Sequence, residues 1–199
     1  MNKEAFWQVI SMYNEQTFGI QIALMLLLAL AIVLTYTWKK PYLAKFVLGT
    51  LNLFIGTGFF GIYGTEPIQK FFAMPLFTFT GILLAYEAVY HKEDQLHRHK
   101  ILQSILFALY LAYPLISMLL GNTFPHITTY IMPCPVMCLT IIVYAGYEKK
   151  NRLLLLLMTL WGITGVKSLV FDVYEDLILL TCGIYGVYLL IQEFKIRHK

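Results

Sequence analysis

The chain has 199 residues, of which 59% are hydrophobic and 13% charged, with a formal net charge of +4. An ordinary soluble domain carries about 45–50% apolar and about 25% charged residues, so a soluble enzyme domain, a disordered tail, a disulfide scaffold and a collagen are excluded. What is left is one domain over residues 1–199 in a lipid bilayer, an all-α bundle of spanning helices.

Residues 1–16 precede the first long apolar run. Phe6, Val9, Ile10 and Tyr13 recur there at helical spacing with Trp7 beside them, which predicts a short helix lying on the outer leaflet. No apolar stretch follows a basic start, so a cleavable signal peptide is not expected; nor is a lipid anchor. Seven windows then have the length and apolarity of a spanning helix: 17–37, 43–63, 71–90, 101–120, 127–147, 153–171 and 176–194. Runs such as LMLLLALAIVL and RLLLLLMTL lack the polar–apolar alternation of a membrane β-barrel. In the second window Gly49, Asn52 and Gly56 share a face that permits close helix approach, and Asn52 either bonds across helices or lines a polar path. The second, fifth and seventh windows are expected at the bundle centre. The leucine-rich first, fourth and sixth face lipid.

The connections set the orientation. Lys39, Lys40 and Lys45 flank the first connection, Lys92, Arg98 and Lys100 the third, Lys149, Lys150 and Arg152 the fifth, and Lys195, Arg197 and Lys199 end the chain. These are twelve of the 15 basic residues, and all fall on one side if the chain crosses seven times. Lys3, Lys70 and Lys167 are the others. The positive-inside bias then puts the N-terminus outside and the C-terminus in the cytoplasm. Because the charge is divided among short loops, no nucleic-acid partner is expected.

The chemistry concentrates near the outer face. In FPHITTYIMPCPVMC, residues 124–138, two prolines flank Cys134. Each removes a backbone donor, so the outer half of the fifth window is expected to be kinked or unwound. Cys134 and Cys138 share a helix face, and Cys182 enters from the same side at a depth of roughly 10 Å, level with Cys134. With His126 nearby, the three thiols can be read as a soft-metal site or as small apolar side chains that pack well. Lys167 lies about 7 Å below Asp172. It either pairs structurally with Asp172, Glu175 or Asp176 or marks a substrate path. His91, His97 and His99 sit in a charged loop, where solvation explains them.

Tyr13-Asn14, Phe124-Pro125-His126, Pro133-Cys134-Pro135 and Glu175-Asp176 together resemble an uncharacterised family of small bacterial multi-span membrane proteins, a domain of unknown function. The resemblance covers almost the whole chain. It implies a bacterial inner (plasma) membrane setting and no activity.

The expected function is that of a small transporter or permease-like protein. Its site in the outer half would be built from His126, Cys134 and Cys138, with Cys182, Lys167, Asp176 and Asn52 adjacent, and would take a soft metal ion or a small solute. Broken helices at membrane depth carry that expectation. A membrane-embedded enzyme or sensor using the same groups, or a structural subunit of a larger complex, are the alternatives, and a homo-oligomer stays open.

Overall fold

The computed structural model describes residues 3–92, 94–97 and 101–196. Arg98, Lys100, Arg197 and Lys199, which enter the charge count above, and the loop histidine His99 lie outside the described residues. Among those described, the fold is all-α, and only an isolated bridge between Leu96 and Tyr147 has β pairing.

Helix α1 runs unbroken over Lys3–Thr37, about 50 Å at the usual rise per residue. The short helix expected over residues 1–16 is therefore not a separate element. No proline interrupts residues 3–37, and the single Gly19 weakens a helix by only about 1 kcal/mol. Val9, Ile10 and Tyr13 are buried in the bundle. Further along the same helix, Leu26 and Leu30 are more than half exposed.

Helix α2, Tyr42–Phe54, widens into π-helical turns over Ile55–Tyr63. Another π-helical turn, Gln69–Ala73, leads into α3, Met74–Tyr90. The small residues of α2 and of the π-helical turns after it explain how close the pair packs. A Cβ at Gly49 would lie 3.0 Å from the Gly81 carbonyl oxygen, and one at Gly56 would lie 2.6 Å from Thr78 Oγ1.

The window expected at 101–120 is two helices, α4 (Ile101–Leu111) and α5 (Tyr113–Leu119), that meet at 49°. Pro114 explains the break: it has no N–H for the preceding turn and its ring crowds the carbonyl four residues back.

Helix α6, Pro133–Tyr144, is the centre of the molecule: every residue in it except Cys134 is buried. A helix apolar all round has no face for solvent. Asn151 caps α7, Arg152–Ile163, accepting from the Leu153 and Leu154 amides. A 3-10 turn, Thr164–Lys167, carries α7 into the short α8, Ser168–Phe171. Asp172, at φ 54°, ends it in the left-handed region. A 3-10 turn over Tyr174–Asp176 then starts α9, Leu177–Ile196. Helices α7 and α9 meet through Gly162 and Gly183, where a Cβ on the first would lie 2.5 Å from the Cα of the second.

Among the described residues, five helical stretches are long and apolar enough to cross a membrane: Glu4–Thr37, Tyr42–Tyr63, Gln69–Tyr90, Arg152–Val170 and Tyr174–Lys195. The bent α4–α5 pair makes a sixth. The window expected at 127–147 contains only the 12-residue α6, so by helix length the count falls short of seven. The proline pair is the reason. Pro133 and Pro135 both sit in the first turn, where the missing N–H groups have no intrahelical partner anyway. The residues before them are non-helical.

The connections gather at two ends. At one, the Tyr147 hydroxyl donates to the Pro41 carbonyl, and the His97 amide to Gly146. At the other, residues 120–132 meet the start of α1 and the turn before α9. The site described next lies at this second end.

Candidate functional site

The irregular stretch before α6 is held by side chains of α1. Tyr13 donates from its hydroxyl to the Ile131 carbonyl at 2.6 Å, and Asn14 donates to Pro125 and Ile127 at 2.7 and 2.8 Å. Thr129 Oγ1 donates to Gln21 Oε1 at 2.7 Å, while Gln21 Nε2 donates to Thr17 and Asn14. From the other side, Ser117 Oγ accepts the Thr128 amide at 3.2 Å. Backbone polar groups held away from water need partners, and these bonds supply them for four groups of the stretch.

The turn before α9 closes the same region. Glu175, 1% exposed, accepts from the Ser117 and Thr128 hydroxyls at 2.7 Å each. Asp176 accepts from the Tyr113 hydroxyl at 2.7 Å and faces the Cys134 thiol. One turn deeper, Cys138 meets Cys182. The three cysteines are therefore close together and all free. Cys182 stands opposite Cys138 and not level with Cys134, because the 3-10 turn places Asp176 beside Cys134 and sets α9 one turn lower.

Beside this network is a partly open cavity of about 340 Å³. Its walls are mostly apolar, with Phe59, Phe60, Phe72 and Met132 among them. Its polar groups include Cys134 and Asp176, Trp161, Thr164, Lys167 and Ser168 along α7 and α8, and Glu66, Gln69 and Thr128. A small-molecule site has this composition: a largely apolar pocket with a few convergent polar groups.

The expected residues are thus partly assembled. Cys134, Lys167 and Asp176 share the cavity. Cys138 and Cys182 are fully buried behind it. His126 is exposed on the irregular stretch, and among the described residues no group of three or more His, Cys, Asp or Glu side chains can hold a metal ion. The soft-metal reading of His126, Cys134, Cys138 and Cys182 gains no support from this arrangement: Cys134 faces an acid on the cavity wall, Cys138 and Cys182 meet in the core, and His126 is exposed.

The expected pairing of Lys167 with an acid is absent among the described residues. Asp172 is exposed and accepts instead from Tyr174 at 3.0 Å. Asn52 donates to Thr140 Oγ1 of α6 at 3.0 Å and to the Leu48 carbonyl at 2.8 Å, and it is not among the residues that line the cavity.

Sequence reasoning missed a second cluster, at the opposite end. Lys45, counted as a loop cation, is 1% exposed and bridges Glu87 at 2.8 Å and Asp94 at 2.6 Å. The Tyr144 hydroxyl donates to Glu87 and accepts the Asn151 amide, and the Lys45 ammonium lies 4.3 Å from the Tyr147 ring centre. The available signal was a lone acid within the apolar run AYEAVY and a lysine three residues inside a helix start.

A family model described as "Family of unknown function (DUF6064)" matches residues 3–198. No curated protein and no solved structure matches the chain.

Proposed function

Because the chain belongs to the DUF6064 family, whose function is unknown, its activity has to be read from the site, and we propose that it is a transporter or permease-like membrane protein that receives a small solute in the cavity beside Cys134, Lys167 and Asp176. The observation that carries this reading is the coincidence of that cavity with a broken span. A half-helix entering beside a substrate cavity is the usual construction of transporter sites.

Seven crossings fit the chain if α6 and the stretch before it count as one. Twelve helical residues span about 18 Å. Residues 128–132, drawn out, add up to about 16 Å, so together they match a hydrocarbon core of about 30 Å. Lys39, Lys40, Lys92, Lys149, Lys150, Arg152 and Lys195 then fall at the end away from the cavity, which supports a cytoplasmic assignment for that end and an outer one for the cavity. Exposed apolar side chains such as Ile62, Phe71, Ile101 and Val170 suit a lipid-facing belt.

Thiol labelling in sealed right-side-out membrane vesicles tests this. A membrane-impermeant methanethiosulfonate is expected to modify Phe72→Cys, in a background lacking the native cysteines, and more slowly the native Cys134. Cys138 and Cys182 are expected to react at least about tenfold more slowly than Cys134, since they require local opening of the bundle. Reaction of Phe72→Cys and Cys134 only from the cytoplasmic face would overturn the reading.

A further inference from the structure

Resting on the reading of this cavity as a solute site, we propose that its ligand is an amphiphile with a single anionic head, a carboxylate or phosphate ester, on an apolar body. Trp161, Thr164, Lys167 and Ser168 recur at spacings of three and four along the α7–α8 side of the cavity. Thr164 donates to the Trp161 carbonyl at 2.7 Å. The Trp161 indole N–H faces the Cys134 sulfur. The Ser168 hydroxyl, on a residue 3% exposed, has no hydrogen-bond partner, and Lys167 forms no ion pair among the described residues.

The cavity's acceptors are in the opposite condition. Asp176 takes the Tyr113 hydroxyl and faces the Cys134 thiol. Gln69 Oε1 accepts the Thr65 and Glu66 amides at 2.8 and 3.0 Å. Glu66 has a contact of its own. A buried donor left without an acceptor is costly, as the Ser168 hydroxyl is here, and the exposed Lys167 ammonium adds a positive charge on the same wall. A head group that brings acceptors and one negative charge suits both together, through charge-assisted bonds. The rest of the wall is apolar, with Phe59, Phe60, Phe72 and Met132 available to an alkyl or aromatic body. Asp176 shares the cavity, and its charge works against an anion. Removing that charge therefore gives the opposite change from removing Lys167.

Trp161 is the reporter. With Trp7→Phe and Trp38→Phe it is the only tryptophan. In phosphatidylcholine nanodiscs, ω-bromoundecanoate is expected to quench Trp161 fluorescence saturably. ω-Bromoundecanol, its neutral counterpart, is expected to bind at least about tenfold more weakly. Lys167→Gln should bring the acid to the level of the alcohol, Ser168→Ala should weaken it less, and Asp176→Asn should tighten it. Discs containing chain-brominated phosphatidylglycerol identify the source of the head group. Lys167-dependent quenching there in excess of brominated phosphatidylcholine makes it a bilayer lipid, whereas quenching only by the added acid makes it a free amphiphile; either supports the proposal. Equal binding of acid and alcohol, unchanged by Lys167→Gln, overturns the anionic head and leaves the cavity as a solute site. No saturable quenching by any of these probes overturns the solute site itself. Lys167 is exposed, so its variant is expected to fold, and a native elution volume in size-exclusion chromatography checks that it does.

Discussion

Lys45→Met is expected to destabilise the protein by about 3–5 kcal/mol, the usual effect of removing one partner from a buried ion pair. Glu87 and Asp94 have side chains only 8% and 6% exposed, and Lys45 bridges both. Without the ammonium, two carboxylates lie close together with no cation to offset them. The effect extends beyond electrostatics. Lys45 is near the start of α2, Glu87 near the end of α3, and Asp94 also accepts the Lys149 amide at 3.4 Å. One cation therefore ties three connections into a single end of the bundle. The measurement is thermal unfolding in detergent, with Lys45→Met alone and combined with Glu87→Gln and Asp94→Asn. The triple variant is expected to recover most of the loss, because neutral amides leave no buried charge. A loss below about 1 kcal/mol in the single variant, the range of exposed pairs, would mean that water reaches the cluster.

Gly183→Val is expected to have an effect of similar size, at least about 3 kcal/mol, at the upper end of overpacking penalties. A Cβ at Gly183 would lie 2.7 Å from the Gly162 carbonyl oxygen and from the Ile163 amide nitrogen. These are backbone atoms, which cannot rotate aside as a side chain can, so the helices must separate. Helices that pack through small residues depend on this approach. Because α7 leads into the donor side of the cavity and α9 follows Asp176, separating them is also expected to weaken ω-bromoundecanoate binding. Gly19→Ala is the control. Nothing lies within 4 Å of a Cβ there, so alanine should be neutral or slightly stabilising, by up to about 1 kcal/mol. Equal effects at the two positions would contradict close packing of α7 on α9.

Much of the fold was legible because apolar length is a one-dimensional signal. The windows at 43–63, 71–90, 153–171 and 176–194 fall on helical stretches, and the proline pair at Pro133 and Pro135 pointed to an interrupted element. Other features depended on partners that spacing does not reveal. Residues 3–16 look like a surface helix in isolation. Their hydrogen bonds to residues 125–131, with the packing of Tyr13 on Phe59 and Tyr63, explain why Tyr13 and Asn14 are buried. Pro114 went unremarked, although a proline thirteen residues inside an apolar run is a local reason for a bend. Lys45 was assigned by counting charges, and counting cannot distinguish a solvated lysine from one enclosed by two acids and two tyrosines. The site was half legible. Cys134, Lys167 and Asp176 were singled out as unusual groups at one end, and they share a cavity. Trp161, Ser168 and the phenylalanines of the second span were not, because an indole, a hydroxyl and aromatic rings are ordinary in an apolar helix until a cavity opens beside them.

Everything proposed about sidedness depends on residues 120–147 passing through the bilayer once, despite containing a helix of only 12 residues. Reporter fusions decide it: alkaline phosphatase, active only outside the cytoplasm, and a fluorescent protein that matures only within it, placed at each end of the full chain in turn. Seven passes predict phosphatase activity at the N-terminus and fluorescence at the C-terminus. The same reporter active at both ends would make the number of passes even, turn residues 120–147 into a re-entrant segment, and contradict the outward-facing cavity.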